Sequence, residues 1–203
     1  MNGLSRFTLC GWFRSDSMPQ PARTALFGQN NVAEFGFHNS VYGIWIGNYT
    51  IALLPANISL SSNTWYFAAA TVDDTSLKLY LNATLVASQL TTYSGSSSAD
   101  PFSVGAAVLD STGNYFAGAI DEVALFDKAL TAPQIRTLYS AATNGPAQLR
   151  IQQFDNPVVL TWPYGNLQSS ALPQGGYTDV PGGLSPYTNA INSQQKFFRL
   201  RIE

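Results

Sequence analysis

Short apolar runs, many of them alternating with polar residues, recur along the first part of the chain. Examples are "RFTLCGWFRS", "YGIWIGN" and "WYFAAATVD", which are rich in aromatic and β-branched residues. Turn-forming clusters such as "DSMPQPA" and "TTYSGSSSADP" separate these runs. Many short strands punctuated in this way predict an all-β fold, an antiparallel β-sandwich or jelly roll, and not a parallel α/β sheet.

One segment, "TAPQIRTLYSAA", has a helical period instead. Thr131 suits an N-cap and Pro133 the first turn, and three apolar residues then share one face: Ile135, Leu138 and Tyr139. A short helix near residues 131–142 is therefore predicted.

The composition changes after this helix. "TNGPAQ" is typical of a linker, and the remaining stretch is rich in proline and contains several short strand candidates. We therefore predict two domains, a jelly roll over residues 1–145 and a small β module over residues 146–203. A module of this size buries little apolar surface and is marginal by itself.

Charged residues make up 11% of the chain and its net charge is −2, without a basic run. Such a surface would not neutralise a row of phosphates, so neither nucleic acid binding nor membrane insertion is predicted. The low charge, with Ser, Thr, Asn, Gln and Gly in the polar positions, is typical of an extracellular β protein. Cys10 is the one cysteine, which excludes an intrachain disulfide and favours a buried thiol.

Three sequence blocks carry a family resemblance. "F-x-G-x-I-D-E-V-x-L-F-x-x-A-L-T-x-x-Q-I-x-x-L-Y", over residues 116–139, resembles the closing segment of laminin G-like, concanavalin A-like lectin/glucanase domains. "FTLCGWFRSDS" and "NTWYFAAATVDDTSLKLYLNATLV" resemble an early strand and a hairpin of the same family. The resemblance covers residues 7–142 and implies a concanavalin A-like jelly roll.

Two departures from the family pattern stand out. Family members usually open with a strand before the "FTLCGWF" block, and this chain starts at "MNGLSRFT", so the first strand is expected to be missing. The hairpin has Asn82-Ala83 where the family usually has Asp-Gly, which predicts a longer or differently shaped turn.

The C-terminal stretch "VVLTWPYGNLQSS…GGYTDVPGGLSPYT…QQKFFRLR" resembles a small β module that ends many large secreted proteins of environmental bacteria. This resemblance implies an extracellular or cell-surface location, a bacterial source and a larger parent chain. It implies attachment or display and no catalytic role for the module.

Asp121 and Glu122 form the one adjacent Asp-Glu pair. In a regular strand they would point to opposite faces and could not act on one atom. The family resemblance implies that an acid at Asp121 can hold a structural calcium, which needs six to eight oxygens. The alternative is that Asp121 accepts backbone hydrogen bonds and Glu122 is solvated.

Sugar rings stack on aromatic side chains. The candidates for ligand binding are Tyr42, Trp45, Tyr49, Tyr93 and Tyr115. Tyr42 and Trp45 differ by an odd number and so lie on opposite faces of a regular strand, one of them in the core, unless Gly43 introduces a bulge. Tyr93 and Tyr115 are predicted to be exposed in loops. Trp12 and Trp65 fall inside the family strand blocks and are predicted to be core residues.

The chain contains three glutamates, Glu34, Glu122 and Glu203, and lacks the "E-x-D-x-x-E" strand motif of laminarinase-type members of the fold. Glu34 and His38, four apart on one strand, are the best remaining acid/base candidates. We therefore predict that the chain is not an enzyme and that it recognises carbohydrate, a polysaccharide or a glycoprotein glycan, or extracellular matrix. A structural or adhesive spacer is the alternative, and a glycoside hydrolase a weaker one.

Overall fold

The computed structural model describes residues 1–20, 23–38, 41–47, 51–53, 58–106, 115–145, 147–154, 156–191 and 195–202. They divide into two compact units, unit 1 over Met1–Ala132 and unit 2 over Pro133–Glu203. The boundary predicted at residue 145 stays a prediction; in the structure the helix belongs to the second unit.

The strands of unit 1 follow the apolar runs of the sequence. In chain order they are β1 (Phe7–Ser15), β2 (Arg23–Gln29), β3 (Ala33–His38), β4 (Val41–Ile46), β5 (Ile51–Leu53), β6 (Trp65–Val72), β7 (Ser76–Leu81), β8 (Thr84–Leu90), β9 (Phe102–Val104) and β10 (Gly118–Phe126). They form two antiparallel sheets, sheet A in the order β10-β1-β6-β7-β8 and sheet B in the order β5-β4-β3-β2-β9.

The inner faces of the two sheets share one aromatic core. Phe13 of sheet A is fully buried and stacks on Tyr42 of sheet B, with ring centroids 5.8 Å apart. Its ring also meets Phe37 edge-on at 6.0 Å. Burying a side chain of this size contributes roughly 1.5–3 kcal/mol. The predicted all-β, concanavalin A-like sandwich is confirmed.

The hairpin between β7 and β8 corrects one expectation. Leu81 pairs with Thr84, so the turn is the short two-residue type and not a longer one. Asn82 and Ala83 have φ angles of 49° and 61°, the left-handed values that such a turn requires. Alanine fits this region less well than glycine. Asn82 compensates, because its Oδ1 accepts a hydrogen bond of 2.9 Å from the backbone N–H of Phe67.

Unit 2 begins with the helix α1 (Ala132–Asn144), close to the predicted span. Six short strands follow: β11 (Arg150–Gln153), β12 (Val158–Thr161), β13 (Asn166–Ser170), β14 (Thr178–Asp179), β15 (Tyr187–Asn189) and β16 (Phe197–Arg201). They form two three-stranded sheets, β11-β12-β15 and β14-β13-β16. Leu160, Trp162 and Leu167 are their buried apolar centre. In the described parts of the chain, no helix has the length and apolar character needed to cross a membrane.

Candidate functional site

Three small residues lie side by side across the middle of sheet B. In β3 the residues Phe35 and Phe37 face the core, so Glu34 and Gly36 lie on the other face. Gly36 pairs with Gly43 of β4 and with Ala25 of β2. All three residues are buried in this structure.

Gly36 is required by the close approach of the neighbouring strand. A Cβ atom at this position would lie 2.3 Å from the carbonyl oxygen of Thr24. Gly28 is similar: its φ is +144°, and a Cβ atom would lie 2.3 Å from the carbonyl oxygen of Ala33. The close packing of the backbone therefore explains both glycines.

Trp45 and Glu34 lie beside this row of small residues. The two residues are directly paired across β4 and β3, and Gly28 and Ala52 continue the same row on either side. Paired residues of antiparallel strands have Cβ atoms about 4.5–5.5 Å apart on the same face. Trp45 is half-buried and Glu34 is buried. An indole ring beside a carboxylate is a combination that can stack on a sugar ring and accept hydrogen bonds from its hydroxyls.

The structure brings together one of the five predicted ligand residues, Trp45, with Glu34, which the sequence suggested only as an acid/base candidate. The register could have been read from the sequence. Two residues, 39–40, separate β3 from β4, so a two-residue hairpin places Glu34 opposite Trp45. Tyr49 lies outside the described residues.

Tyr42 and Tyr93 belong to the core instead. Tyr42 is 2% exposed, because its ring stacks between Phe13 and Phe35. This confirms that one of Tyr42 and Trp45 is a core residue. Tyr93 is 7% exposed, so its predicted exposure is wrong: its ring meets Phe7 edge-on at 6.2 Å. Neither ring is available to a ligand in this conformation.

Tyr115 is the most exposed of the predicted aromatic residues, at 73%. It forms an isolated bridge with Ala106, which lies just beyond the edge strand β9 of sheet B. The prediction that it is exposed is therefore correct. Whether it contacts a ligand stays a prediction.

The outer face of sheet A carries the tryptophans that were predicted to be core residues. Trp65 is 41% exposed, and Trp12 is half-buried against Phe67 with ring centroids 5.4 Å apart. The guanidinium of Arg14 lies 5.8 Å from the centre of the Trp65 ring. Alternation predicts this, since Phe7, Leu9 and Phe13 are the core-facing residues of β1 and Trp12 has the opposite parity.

A bulge changes the expected geometry at Asp121 and Glu122. In the pairing of β1 with β10, Cys10 lies opposite Ala124 and Trp12 opposite Asp121, so β10 holds one more residue than β1 between these pairs. Glu122 has a φ of 49° at this point. The regular alternation assumed from the sequence is therefore broken.

The bulge exposes both acids. Ile120 and Val123 both pack against the core of unit 1, and the two residues between them are exposed. The expectation that Asp121 and Glu122 point to opposite faces was wrong for this reason. Asp121 Oδ1 accepts a hydrogen bond of 2.8 Å from the backbone N–H of Glu122, which holds the bulge.

Calcium at Asp121 stays a prediction. Calcium needs six to eight oxygens. Among the described residues, no group of three or more His, Cys, Asp and Glu side chains is arranged to hold a metal ion. One oxygen of Asp121 is already engaged by the backbone.

Cys10 is buried on the same pair of strands. Burial raises the pKa of its thiol to about 11, and the charge of Glu122 adds to the shift, while a hydrogen bond to the backbone of Ala124 opposes it. Since the thiolate is the reactive form, this cysteine is inert at neutral pH.

Residues 1–136 match the model of a laminin G family described as the concanavalin A-like lectin/glucanases superfamily. The chain belongs to this family. No protein with a curated description matches its sequence.

Solved structures with the same fold include several proteins of carbohydrate metabolism. A Bacteroides ovatus protein assigned provisionally to carbohydrate binding is 20% identical with a TM-score of 0.58, over 66% of this chain and 40% of that one. Domain 4 of an extracellular arabinanase from Geobacillus stearothermophilus, in complex with arabinotriose, is 20% identical with a TM-score of 0.53, over 68% and 69%. A mutant Trypanosoma rangeli sialidase with trans-sialidase activity is 17% identical with a TM-score of 0.54, over 68% and 23%. The chain thus spans less than half of the first and third of these proteins.

Proposed function

We propose that unit 1 is a carbohydrate-binding module that holds a glycan on the outer face of sheet B without cleaving it. The observation that carries this proposal is the Trp45–Glu34 pair on this face. The half-buried indole ring of Trp45 can stack on a sugar face, and the neighbouring carboxylate of Glu34 can accept hydrogen bonds from its hydroxyls. The family and the carbohydrate-related structures of the same fold support this assignment.

The same face argues for binding without hydrolysis. Glycosidases use two carboxyl groups, about 5–5.5 Å apart in retaining enzymes and about 6.5–9.5 Å in inverting ones. The described strand residues of this face supply one carboxylate, Glu34. The side chain of His38 lies outside the described residues, so the pairing of Glu34 with His38 stays a prediction.

The decisive experiment is a glycan array with the full chain, followed by titration of the best glycan. We expect Trp45→Ala to weaken binding at least tenfold, about 1.4 kcal/mol, without a change in thermal unfolding. Glu34→Gln should weaken binding by a similar factor, because it removes a charged hydrogen-bond acceptor. Trp65→Ala is the matched control, since this tryptophan is also partly exposed but lies on sheet A.

Three results would contradict the proposal. Equal losses in Trp45→Ala and Trp65→Ala would remove sheet B as the site. Release of reducing ends from a polysaccharide, abolished by Glu34→Gln or Asp121→Asn, would make the chain an enzyme. No glycan bound by the wild-type chain would favour a structural or adhesive spacer. An extracellular location at the end of a larger bacterial protein is part of the same proposal and rests on the family resemblance.

A further inference from the structure

Unit 2 contains a groove of about 570 Å³. One side is formed by α1, through residues that include Arg136 and Ser140, and the other by the turn around Trp162 and the end of β16 at Arg201. Its volume lies within the range of about 300–1,000 Å³ that small-molecule sites occupy. The site proposed above for unit 1 does not use any of these residues.

The charged side chains that line the groove are both arginines, and one of them, Arg201, is paired with Asp179 outside the lining. Arg136 and Arg201 both line the groove, and its described lining includes neither aspartate nor glutamate. This contrasts with a chain whose net charge is −2 and whose charged residues make up only 11%. Two arginines converging on one concavity provide the planar, multiple donors that suit a carboxylate.

Arg201 is held in place by a network behind the groove. Its Nη2 donates to Asp179 Oδ2 over 3.0 Å, and Asp179 Oδ1 accepts from Nε2 of the buried Gln168 over 2.7 Å. Gln168 Oε1 accepts in turn from Arg199 Nε over 2.8 Å, and the Arg199 guanidinium lies 4.3 Å from the Tyr177 ring centre. Such support fixes the direction of a guanidinium before a ligand arrives, which reduces the entropy lost on binding.

The rest of the lining is neutral and suits a sugar ring. Trp162 is buried, and its indole N–H donates to the carbonyl of Gly165 over 3.0 Å, so it contributes its ring and not its N–H. Ser185 accepts a hydrogen bond from the backbone of Trp162 through Oγ and retains its own hydroxyl proton as a donor. Tyr164 and Asn166 add a ring and an amide.

We propose that this groove is a second ligand site, and that it binds an acidic saccharide through a uronate carboxylate on Arg136 and Arg201. The choice of a saccharide over an acidic peptide rests on the carbohydrate-binding function proposed for unit 1. The anionic specificity rests on the groove alone.

The test is calorimetric titration of the full chain with digalacturonate, and with the neutral disaccharide galactobiose as the matched ligand. We expect digalacturonate to bind at least tenfold more tightly than galactobiose and to weaken as salt is raised. Arg136→Gln and Arg201→Gln should each reduce the affinity at least tenfold, and Arg201→Lys should fall between, because an ammonium lacks the planar fork. Arg150→Gln is the control, since Arg150 is exposed on β11 and does not line the groove.

The proposal is overturned if digalacturonate does not bind, if galactobiose binds equally well, or if Arg150→Gln weakens binding as much as Arg136→Gln. Tighter binding of the peptide Gly-Asp-Glu-Gly at the same arginines would overturn the saccharide class. Trp45→Ala separates this site from that of unit 1: loss of digalacturonate binding in that variant would overturn a site in unit 2. If the chain binds digalacturonate but no glycan on the array, only the function proposed for unit 1 is overturned.

Discussion

Unit 1 and unit 2 bury very different cores. In unit 1 the described core joins two five-stranded sheets through a cluster of aromatic rings around Phe13, including Tyr42 and Phe37. In unit 2 the buried apolar centre consists of Leu160, Trp162 and Leu167 under two three-stranded sheets. The fraction of surface that folding buries rises with size, so unit 2 is the more marginal of the two. The two proposed sites differ in the same way: the site proposed for unit 1 lies on one face of a five-stranded sheet, and the site proposed for unit 2 lies beside a small buried centre.

Truncating each core gives the largest expected effects. Phe13→Ala should lower the free energy of unfolding of unit 1 by about 3–5 kcal/mol, because it empties the centre of the aromatic cluster. Leu160→Ala should cost unit 2 about 2–3 kcal/mol, the low end for a buried leucine, because a small core can collapse around the gap. Hydrogen exchange followed by mass spectrometry measures both, since peptides from each unit report its protection separately.

The outcome also tests the independence of the two cores. Leu160→Ala should remove protection from β12 and β13 and leave β1 and β6 protected. If protection falls equally in β1, the two units unfold together, and their cores do not have separate free energies of unfolding. Leu184→Ala serves as the control, because Leu184 is 78% exposed.

Much of unit 1 was predictable because its sequence alternates. The runs around Phe13 and Trp65 predicted the strands. The helix of unit 2 followed from a cap and a 3.6-residue period. The errors have physical causes. Trp65 was assigned to the core because it falls in a family sequence block, although its position in the strand alternation places it on the outer face. The bulge at Glu122 needs a positive φ, which the pattern of apolar and polar residues does not predict.

The candidate sites were less predictable than the fold. Trp45 and Glu34 are eleven positions apart and meet only through the hairpin register. Arg136 and Arg201 come from a helix and from the last strand, so their convergence depends on tertiary packing within unit 2. Residue type alone could not distinguish Tyr93, which fills the core, from Tyr115, which is exposed.

The bulge in β10 should have a moderate effect, confined to the rim of unit 1. Asp121→Ala removes the acceptor for the Glu122 N–H and should destabilise unit 1 by about 1 kcal/mol. We expect the same loss in calcium and in EDTA, measured as the midpoint of thermal unfolding. Glu122→Ala, at the neighbouring exposed acid, is the control. A calcium-dependent rise of the midpoint that disappears in Asp121→Ala would establish a metal site at Asp121.

The smallest effect should come from Tyr42. The two cores differ in whether a buried polar group has a hydrogen-bond partner. Trp162 in unit 2 donates its N–H to Gly165, whereas the buried Tyr42 hydroxyl in unit 1 has no hydrogen-bond partner among the described residues. Burial also raises the pKa of this hydroxyl well above its usual value. Removing an unsatisfied buried hydroxyl costs little or is favourable, so Tyr42→Phe should leave unit 1 equally stable or more stable by up to about 1 kcal/mol.

Trp162→Phe is the counterpart, and should cost unit 2 about 1 kcal/mol because it deletes a satisfied donor along with ring volume. Urea denaturation of both variants gives the comparison. Tyr42→Phe should also bind the unit 1 glycan as tightly as the wild type, since its ring serves the core. A tenfold loss of affinity in Tyr42→Phe with unchanged stability would mean that the hydroxyl contacts the ligand. Tyr42, which is buried here, would then have to become exposed when the ligand binds.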